Sequence, residues 1–164
     1  MKKLFIAFMA TLMLVGCSGS DEGKQANKET KEEGYVFTSN GTDVSMNEET
    51  TEVLKSLGKE LDYFEAPSCA FDGKDKTYTY AGFQLVTYPT DDKDFVNSIV
   101  LKDDTVSTKE GVSIGDEKAK VEETYGKDFE NKNGAYVYTK GKSKLEFIFD
   151  GDTVSSITYT AITE

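Results

Sequence analysis

Two stretches of this sequence match each other and decide its fold. The first is Val44-Ser-Met-Asn-Glu-Glu-Thr-Thr-Glu-Val-Leu-Lys-Ser-Leu-Gly-Lys59. The second, 68 residues later, is Val112-Ser-Ile-Gly-Asp-Glu-Lys-Ala-Lys-Val-Glu-Glu-Thr-Tyr-Gly-Lys127. They align without a gap, and six of the 16 positions are identical. This agreement indicates an internal duplication.

Further matches follow these stretches at a spacing of 58 residues. The aligned pairs are Tyr78 with Tyr136, Tyr80 with Tyr138, Val96 with Val154, Ser98 with Ser156 and Ile99 with Ile157. Because the spacing falls from 68 to 58, the first copy carries about ten extra residues, roughly 65–74, which include Cys69. We interpret residues 35–164 as one tandem-repeat domain, with repeat one at about 35–104 and repeat two at about 105–164.

Each matched stretch is expected to form a helix. Ser45 and Ser113 are predicted N-caps, because an acidic residue follows each of them at the capping-box spacing. Gly58 and Gly126 stand where helices commonly end in a left-handed conformation. Helices of about three turns need tertiary packing to persist, so their apolar stripes should lie against a sheet. The stripes are Met46, Thr50, Val53, Leu54 and Leu57 in repeat one, and Ile114, Val121 and Tyr125 in repeat two.

After each helix the hydrophobic period changes from 3.6 to 2, which is typical of strands. The predicted strands are Thr77–Ala81, Phe83–Tyr88 and Phe95–Lys102, then Ala135–Thr139, Lys144–Phe149 and Val154–Thr160, with one more before each helix at Tyr35–Thr38 and Thr105–Thr108. Short polar links favour antiparallel pairing. The predicted fold class is α+β: two tandem helix-plus-antiparallel-meander repeats that form a sheet with helices on one face.

The N-terminal residues are expected to lie outside this domain. Lys2 and Lys3 precede an apolar run that ends at Val15, which is shorter than the roughly 20 residues of a spanning helix and is typical of a signal peptide. The order Leu14-Val-Gly-Cys17 resembles the bacterial lipobox. We therefore predict a lipoprotein signal peptide at 1–16 and lipidation of Cys17, with an ordinary secretory signal as the alternative.

Residues 17–34 are interpreted as the lipidated cysteine and a flexible tether. The segment from Ser18 to Gly34 has no aromatic residue, so it offers little surface to bury. A short solvated helix over 24–33 is the alternative. The predicted location is extracytoplasmic, on the bacterial cell membrane, or on the outer membrane of a Gram-negative host. The predicted membrane contact is the lipid itself.

The composition argues against several kinds of function. The basic residues are 19 lysines against 30 acidic residues, and the chain has no histidine, arginine or tryptophan. Serine–histidine and cysteine–histidine relays and imidazole metal ligands are therefore absent, and the net charge of −11 disfavours nucleic acid. The acidic segments 72–75, 91–94 and 150–152 lack calcium-loop spacing and are interpreted as hairpin turns. We expect no enzymatic activity, no metal and no cofactor.

If Cys17 is lipidated, Cys69 is the remaining cysteine with a free thiol. With no histidine or arginine to lower its pKa, we expect a buried, inert thiol. A reactive thiol, or one that pairs between chains, is the alternative.

The matched tyrosines are the candidate binding residues. Tyr78 with Tyr80, and Tyr136 with Tyr138, have the i, i+2 spacing that places each pair on one sheet face. If the helices cover the other face, these rings are exposed, and tyrosine is favoured at protein interfaces. We predict a partner-binding surface of these four residues with Tyr88 at its rim. The alternative is that this face points into the core.

A resemblance to a known fold supports the repeat interpretation. Gly111-Val-Ser-Ile-Gly-Asp116, a helix, Tyr125-Gly126 and a meander resemble the tandem module of the β-lactamase inhibitory protein-like fold. The arrangement is also similar to the small outer-membrane-assembly lipoproteins. The whole chain looks like uncharacterised bacterial lipoproteins with segments such as Cys69-Ala-Phe-Asp-Gly73, Thr77-Tyr-Thr-Tyr80 and Thr87-Tyr-Pro89. The resemblance implies protein binding and carries over no functional residue.

Two classes of function remain after these exclusions. The first is a membrane-anchored extracytoplasmic lipoprotein that binds another envelope or secreted protein as a non-catalytic accessory module. The alternative is an extracytoplasmic small-ligand sensor or carrier with a pocket between helices and sheet. A hollow between helices and sheet would favour the second class, and a filled core with an exposed aromatic sheet face would favour the first.

Overall fold

A computed structural model describes residues 34–163 of the chain. The predicted signal peptide, the predicted lipidation site Cys17 and the predicted tether up to residue 33 lie outside the described residues. The elements in chain order are β1 (Val36–Ser39), β2 (Thr42–Ser45), α1 (Thr50–Leu57), β3 (Asp62–Pro67), β4 (Lys74–Tyr80), β5 (Phe83–Thr90), β6 (Lys93–Leu101), α2 (Lys118–Tyr125), β7 (Glu130–Lys132), β8 (Ala135–Lys140), β9 (Ser143–Asp150) and β10 (Thr153–Ala161).

An antiparallel sheet of eight strands, in the order β3-β4-β5-β6-β10-β9-β8-β7, is the centre of the fold. Each repeat contributes one helix and four consecutive strands, and the last strands of the two repeats meet in the middle. There Val100 faces Thr158, and these residues are equivalent because 158 − 58 = 100. The spacing found in the sequence thus relates the two meanders across this junction, and the predicted α+β fold is confirmed.

The core lies between one face of the sheet and the layer that covers it. Val53 of α1 and Val121 of α2 are buried against alternate strand residues such as Leu85, Ile99 and Phe147. The β1–β2 hairpin completes the cover, since the Phe37 ring lies 4.8 Å from that of Phe83 and 5.9 Å from that of Tyr159. One face of the sheet is therefore buried beneath both helices and the hairpin.

The predicted helix starts are wrong by about one turn. The helices begin at Thr50 and Lys118, and their N-cap residues make no side-chain capping bond. Ser45 is instead the last residue of β2. Its N–H donates to Glu48 Oε2 at 3.1 Å, and the N–H of Ser113 donates to Asp116 Oδ2 at 2.7 Å. The capping-box spacing therefore closes a tight turn before each helix rather than capping the helix.

These turns join each helix to the last strand of its own repeat. A residue with positive φ, which is asparagine in repeat one and glycine in repeat two, lets the chain turn back toward the strand. The two repeats then make the same pair of backbone hydrogen bonds. In repeat one these are Asn47 N to Val96 O (2.9 Å) and Val96 N to Glu48 O (2.8 Å), and in repeat two Gly115 N to Val154 O (2.8 Å) and Val154 N to Asp116 O (2.8 Å).

The strand prediction needs four corrections, of which the first is that β2 was not predicted. Each meander has four strands, because the edge strands β3 and β7 were not predicted. The strand predicted at Thr105–Thr108 is absent, and a single bridge between Ser107 and Ser113 stands in its place. The strand predicted at Tyr35–Thr38 is present as β1, but it pairs with β2 outside the large sheet.

The extra residues of repeat one lengthen a hairpin at the edge of the sheet. β3 and β4 pair over six residues, whereas β7 and β8 pair over three. The connection at 68–73 carries Cys69, which is exposed, so the predicted burial of this thiol is wrong. The nearby Phe71 ring stacks on Tyr88 at 4.7 Å. Phe71 thus packs the loop against β5, and Cys69 is exposed to solvent.

Candidate binding surface

The inner tyrosine of each matched pair is buried beneath the helices. Tyr80 is 8% exposed and Tyr138 is 2% exposed. The Tyr138 hydroxyl donates to Gly126 O at 2.9 Å, and the Tyr80 hydroxyl lies 3.5 Å from Gly58 O. Each hydroxyl therefore reaches the glycine that ends its own helix. The predicted exposure of these two rings is wrong, and the core-facing alternative holds.

The other candidate tyrosines do not complete an exposed surface. Tyr78 and Tyr136 are half-buried and pack against the core. The Tyr136 ring stacks on Phe129 at 3.6 Å, and its hydroxyl donates to Glu122 Oε1 at 3.0 Å. Tyr88 is buried, and its hydroxyl donates to Asn47 Oδ1 at 3.0 Å. Four of the five side chains thus hydrogen-bond to a helix or a turn, Tyr78 packs against Tyr63 of β3 and the core, and the predicted exposed surface does not form.

Burial also sets the ionisation of these hydroxyls. Desolvation raises the pKa of Tyr138 to about 12 and raises that of Tyr80 in the same direction. For Tyr136, desolvation and then the hydrogen bond to the Glu122 carboxylate raise the pKa. A raised pKa keeps the phenol protonated at neutral pH, so each hydroxyl remains a donor to its carbonyl or carboxylate.

The sheet face opposite the helices, here called the open face, is the surface that the helices leave uncovered. Strand side chains alternate between faces, so the residues between the buried ones belong to it. Across four neighbouring strands it forms two continuous rows, each with one residue from β4, β5, β6 and β10. The rows are Thr79–Gln84–Val100–Thr158 and Thr77–Val86–Ser98–Thr160.

This central patch of the open face is uncharged in a strongly charged protein. Charged residues make up 30% of the chain, yet none of the eight residues in the two rows is charged. Residues 34–163 hold 14 lysines and 24 acidic residues, a net charge of −10. Charges begin on the strands next to the two rows: on β9, Glu146 faces Thr158 and Lys144 faces Thr160, and on β3, Asp62 faces Thr79. The patch is thus neutral and surrounded by a negative body.

Large exposed apolar side chains extend the open face on both sides of this patch. Phe64 of β3 continues the row of Thr77 and is 64% exposed. Ile148 of β9 is 43% exposed. Phe64 and Ile148 thus lie on opposite sides of the two uncharged rows, on β3 and β9.

A charged cleft of about 360 Å³ lies at the end of the sheet that holds the β5–β6 turn. Lys76 Nζ lies 2.6 Å from Asp94 Oδ2 and Lys74 forms an ion pair with Glu65, whereas Asp72, Asp91 and Asp92 also line the cleft and give it an excess of acidic residues. Within residues 34–163, no cluster of three or more acidic or cysteine side chains has the arrangement needed to hold a metal ion. The cleft is therefore acidic, without the ligand arrangement of a metal site among the described residues.

The region between helices and sheet is filled by buried side chains. Phe37, Leu85, Val121, Leu145 and Tyr159 all belong to one contiguous apolar cluster. This is the place where the small-ligand alternative expected a pocket. The filled core therefore gives no support to a carrier or sensor with a ligand in that position.

The open face was not predicted from the sequence, because the tyrosines were the candidate binding residues. The period-2 pattern that pairs Tyr78 with Tyr80 also pairs Thr77 with Thr79 on the opposite face. Threonine and valine are ordinary strand formers, so nothing in their identity marks them as functional. The available signal was the absence of charge from alternate positions in four strands of an acidic chain.

Compared with known proteins, the chain matches no family model, no curated protein and no solved structure. Neither helix in residues 34–163 combines the length and the apolar run needed to cross a membrane.

Proposed function

We propose that this protein is a non-catalytic protein-binding module, anchored at the extracytoplasmic side of a membrane by a lipid on Cys17, that docks its partner on the open face. The observation that carries the proposal is the uncharged two-row patch on β4, β5, β6 and β10. The resemblance to the β-lactamase inhibitory protein-like fold points to the same class of function.

Removing water from the patch costs less free energy than removing it from a charged surface. Burial of an unpaired charge costs far more than burial of a threonine hydroxyl, which needs a single hydrogen-bond partner, and burial of valine is favourable. Strands in the middle of a sheet have their backbone groups already paired, so they expose few unsatisfied donors or acceptors. β-Branched side chains such as Val86, Val100 and Thr158 lose little rotamer freedom on binding. A rigid, neutral sheet face is therefore suited to a protein partner.

The charge around the patch indicates the chemistry of that partner. A body with a net charge of −10 attracts a positively charged surface and repels anionic lipid. We expect a protein with a flat, weakly polar centre and basic residues at the rim of its contact. Association should then slow as ionic strength rises, because the steering charges become screened.

Site-specific photo-crosslinking in the native cells tests the docking surface. A photo-crosslinking amino acid at Thr160, in the row that begins at Thr77, is expected to capture one protein reproducibly. The same group at Ala119, an exposed position on α2, is the control and should not capture that protein. Adding Val100→Glu, in the neighbouring row, should reduce capture at Thr160 by tenfold or more, because the new carboxylate would be buried unpaired on docking.

The result against the proposal would be equal capture at Thr160 and Ala119, or capture that Val100→Glu leaves unchanged. Circular dichroism of the Val100→Glu protein should match that of the wild type, since Val100 is only half-buried and faces the uncharged residues Gln84 and Thr158. This measurement separates loss of docking from loss of the fold.

The anchor is tested by Cys17→Ala. This variant is expected to lose membrane attachment or to keep its signal peptide, because it lacks the sulfur that the lipid would modify. Fractionation and gel mobility should therefore differ from the wild type. A Cys17→Ala protein that fractionates and migrates like the wild type would refute the lipid anchor but would leave the docking surface untouched.

A further inference from the structure

The second surface feature is the edge strand β3. Among the described strands β3 pairs only with β4, so its outer backbone edge is free of a neighbouring strand. Tyr63 is 42% exposed and Phe64 is 64% exposed, and Leu61, just before the strand, is 74% exposed. Exposed edges are templates for pairing with another strand, and soluble proteins usually protect them.

The opposite edge of the same sheet shows such protection. β7 occupies the equivalent place in repeat two but has three residues, Glu130, Asn131 and Lys132. At the spacing of 68 these align with Asp62, Tyr63 and Phe64 of β3. The short edge thus carries a lysine and an asparagine where the long edge carries two aromatic rings. The duplication supplies an internal reference, and β3 departs from it in length and in apolar surface.

The sequence of β3 is compatible with pairing to itself. In a two-fold antiparallel pair of identical strands, one residue must face its own copy, since otherwise paired side chains would lie on opposite faces. The two central residues of β3 are Phe64 and Glu65. A register centred on Glu65 would oppose two carboxylates, which is destabilising. A register centred on Phe64 opposes two aromatic rings.

The register centred on Phe64 also matches the flanking residues. Tyr63 then faces Glu65 of the second copy, and Asp62 faces Ala66 of the second copy. The Tyr63 hydroxyl already donates a hydrogen bond to Glu65 Oε2 within the chain at 2.6 Å. The same two side chains can therefore form this hydrogen bond between the two copies. Glu65 also forms an ion pair with Lys74, which compensates its charge at the strand centre. No like charges face each other directly in this register.

We infer that β3 pairs with β3 of a second copy of this chain, antiparallel and centred on Phe64, so that two sheets join edge to edge. The paired Phe64 rings would lie on the open face and make that face continuous across the dimer. The inference rests on β3 alone and does not depend on the partner proposed for the open face. A contact of one short strand is smaller than the interface of a stable dimer, so the association should be weak and reversible.

Cysteine crosslinking in intact cells tests the pairing. In a Cys69→Ser background, Phe64→Cys should give a disulfide-linked dimer under mild oxidation, because facing side chains in a strand pair lie about 5 Å apart. Lys132→Cys, at the equivalent position of β7, is the matched control and should stay monomeric. Equal yields at both positions, or a disulfide from Phe64→Cys to a different protein instead, would overturn the inference.

Sedimentation of the mature wild-type protein provides an independent measurement. The dimer fraction should rise with salt, because each body carries a net charge of −10 and screening weakens the repulsion. A basic partner strand would show the opposite salt dependence. Phe64→Lys, which copies the β7 residue, should shift the protein to monomer while circular dichroism stays unchanged. A wild type that remains monomeric up to millimolar concentration would contradict β3 pairing, whatever the outcome at Thr160.

Discussion

Val121→Asp is expected to remove a large part of the stability of this protein. Val121 is fully buried between α2 and the sheet, in the same apolar cluster as Leu145 and Phe147. A carboxylate there would have no partner, and burial of an unpaired charge removes about 4 kcal/mol or more from a total of roughly 5–15 kcal/mol. Chemical denaturation followed by circular dichroism should show a large fall in the midpoint.

The control for this prediction lies in the same helix. Ala119→Asp adds the same side chain at an exposed position in the first turn, where a negative charge is mildly favourable. Its unfolding free energy should stay within about 0.5 kcal/mol of the wild type. Val53→Asp, the equivalent change in α1, should resemble Val121→Asp because the two valines are aligned and both buried. A stable Val121→Asp protein would mean that α2 does not cover the sheet.

The duplication was the strongest predictor of the fold. Gapped matches such as Val96 with Val154 were enough to place both meanders, and the structure gives these two valines the same hydrogen bonds to the turn before each helix. Periodicity then separated helix from strand, because apolar spacing is a local property of the chain. The spacing also located the extra residues of repeat one, which form the longer β3–β4 hairpin.

The helix starts were not predictable from the same local signals. A serine followed three residues later by an acid fits a capping box, and it also fits a turn in which the acid accepts from the serine N–H. The choice depends on whether Asn47 and Gly115 bond to a distant strand, which a local pattern does not contain. The same limit applies to β3 and β7, since edge strands show little hydrophobic alternation.

The sequence did not predict which face of the sheet the helices cover, and this error affected the predicted binding surface most. Tyr78 and Tyr80 alternate with Thr77 and Thr79, and both sets suit a strand. Period 2 shows that the sets lie on opposite faces, but it does not say which face the helices bury. Tyrosine fits either place, because it fills a core when its hydroxyl finds a partner. Here Gly58 and Gly126 supply carbonyl partners, and the aromatic face becomes the core face.

Tyr138→Ala is expected to be the most damaging change among the tyrosines. The ring is 2% exposed and lies 5.3 Å from Tyr125, 5.6 Å from Phe129 and 6.0 Å from Phe147. Its removal leaves a cavity at the end of α2 and also deletes the hydrogen bond to Gly126 O. Truncation of a buried aromatic ring costs about 3–5 kcal/mol, so thermal and chemical unfolding should both shift strongly.

Tyr138→Phe separates the ring from the hydroxyl. It keeps the aromatic contacts and loses the 2.9 Å hydrogen bond to Gly126 O, so about 1 kcal/mol of stability should disappear. Tyr80→Phe is the matched variant in repeat one, and its effect should be smaller because the Tyr80 hydroxyl is 3.5 Å from Gly58 O. Photo-crosslinking at Thr160 should persist in both phenylalanine variants, since these rings lie on the covered face. A Tyr138→Phe protein with unchanged stability and abolished crosslinking would instead make this hydroxyl part of the binding surface, against the assignment of docking to the open face.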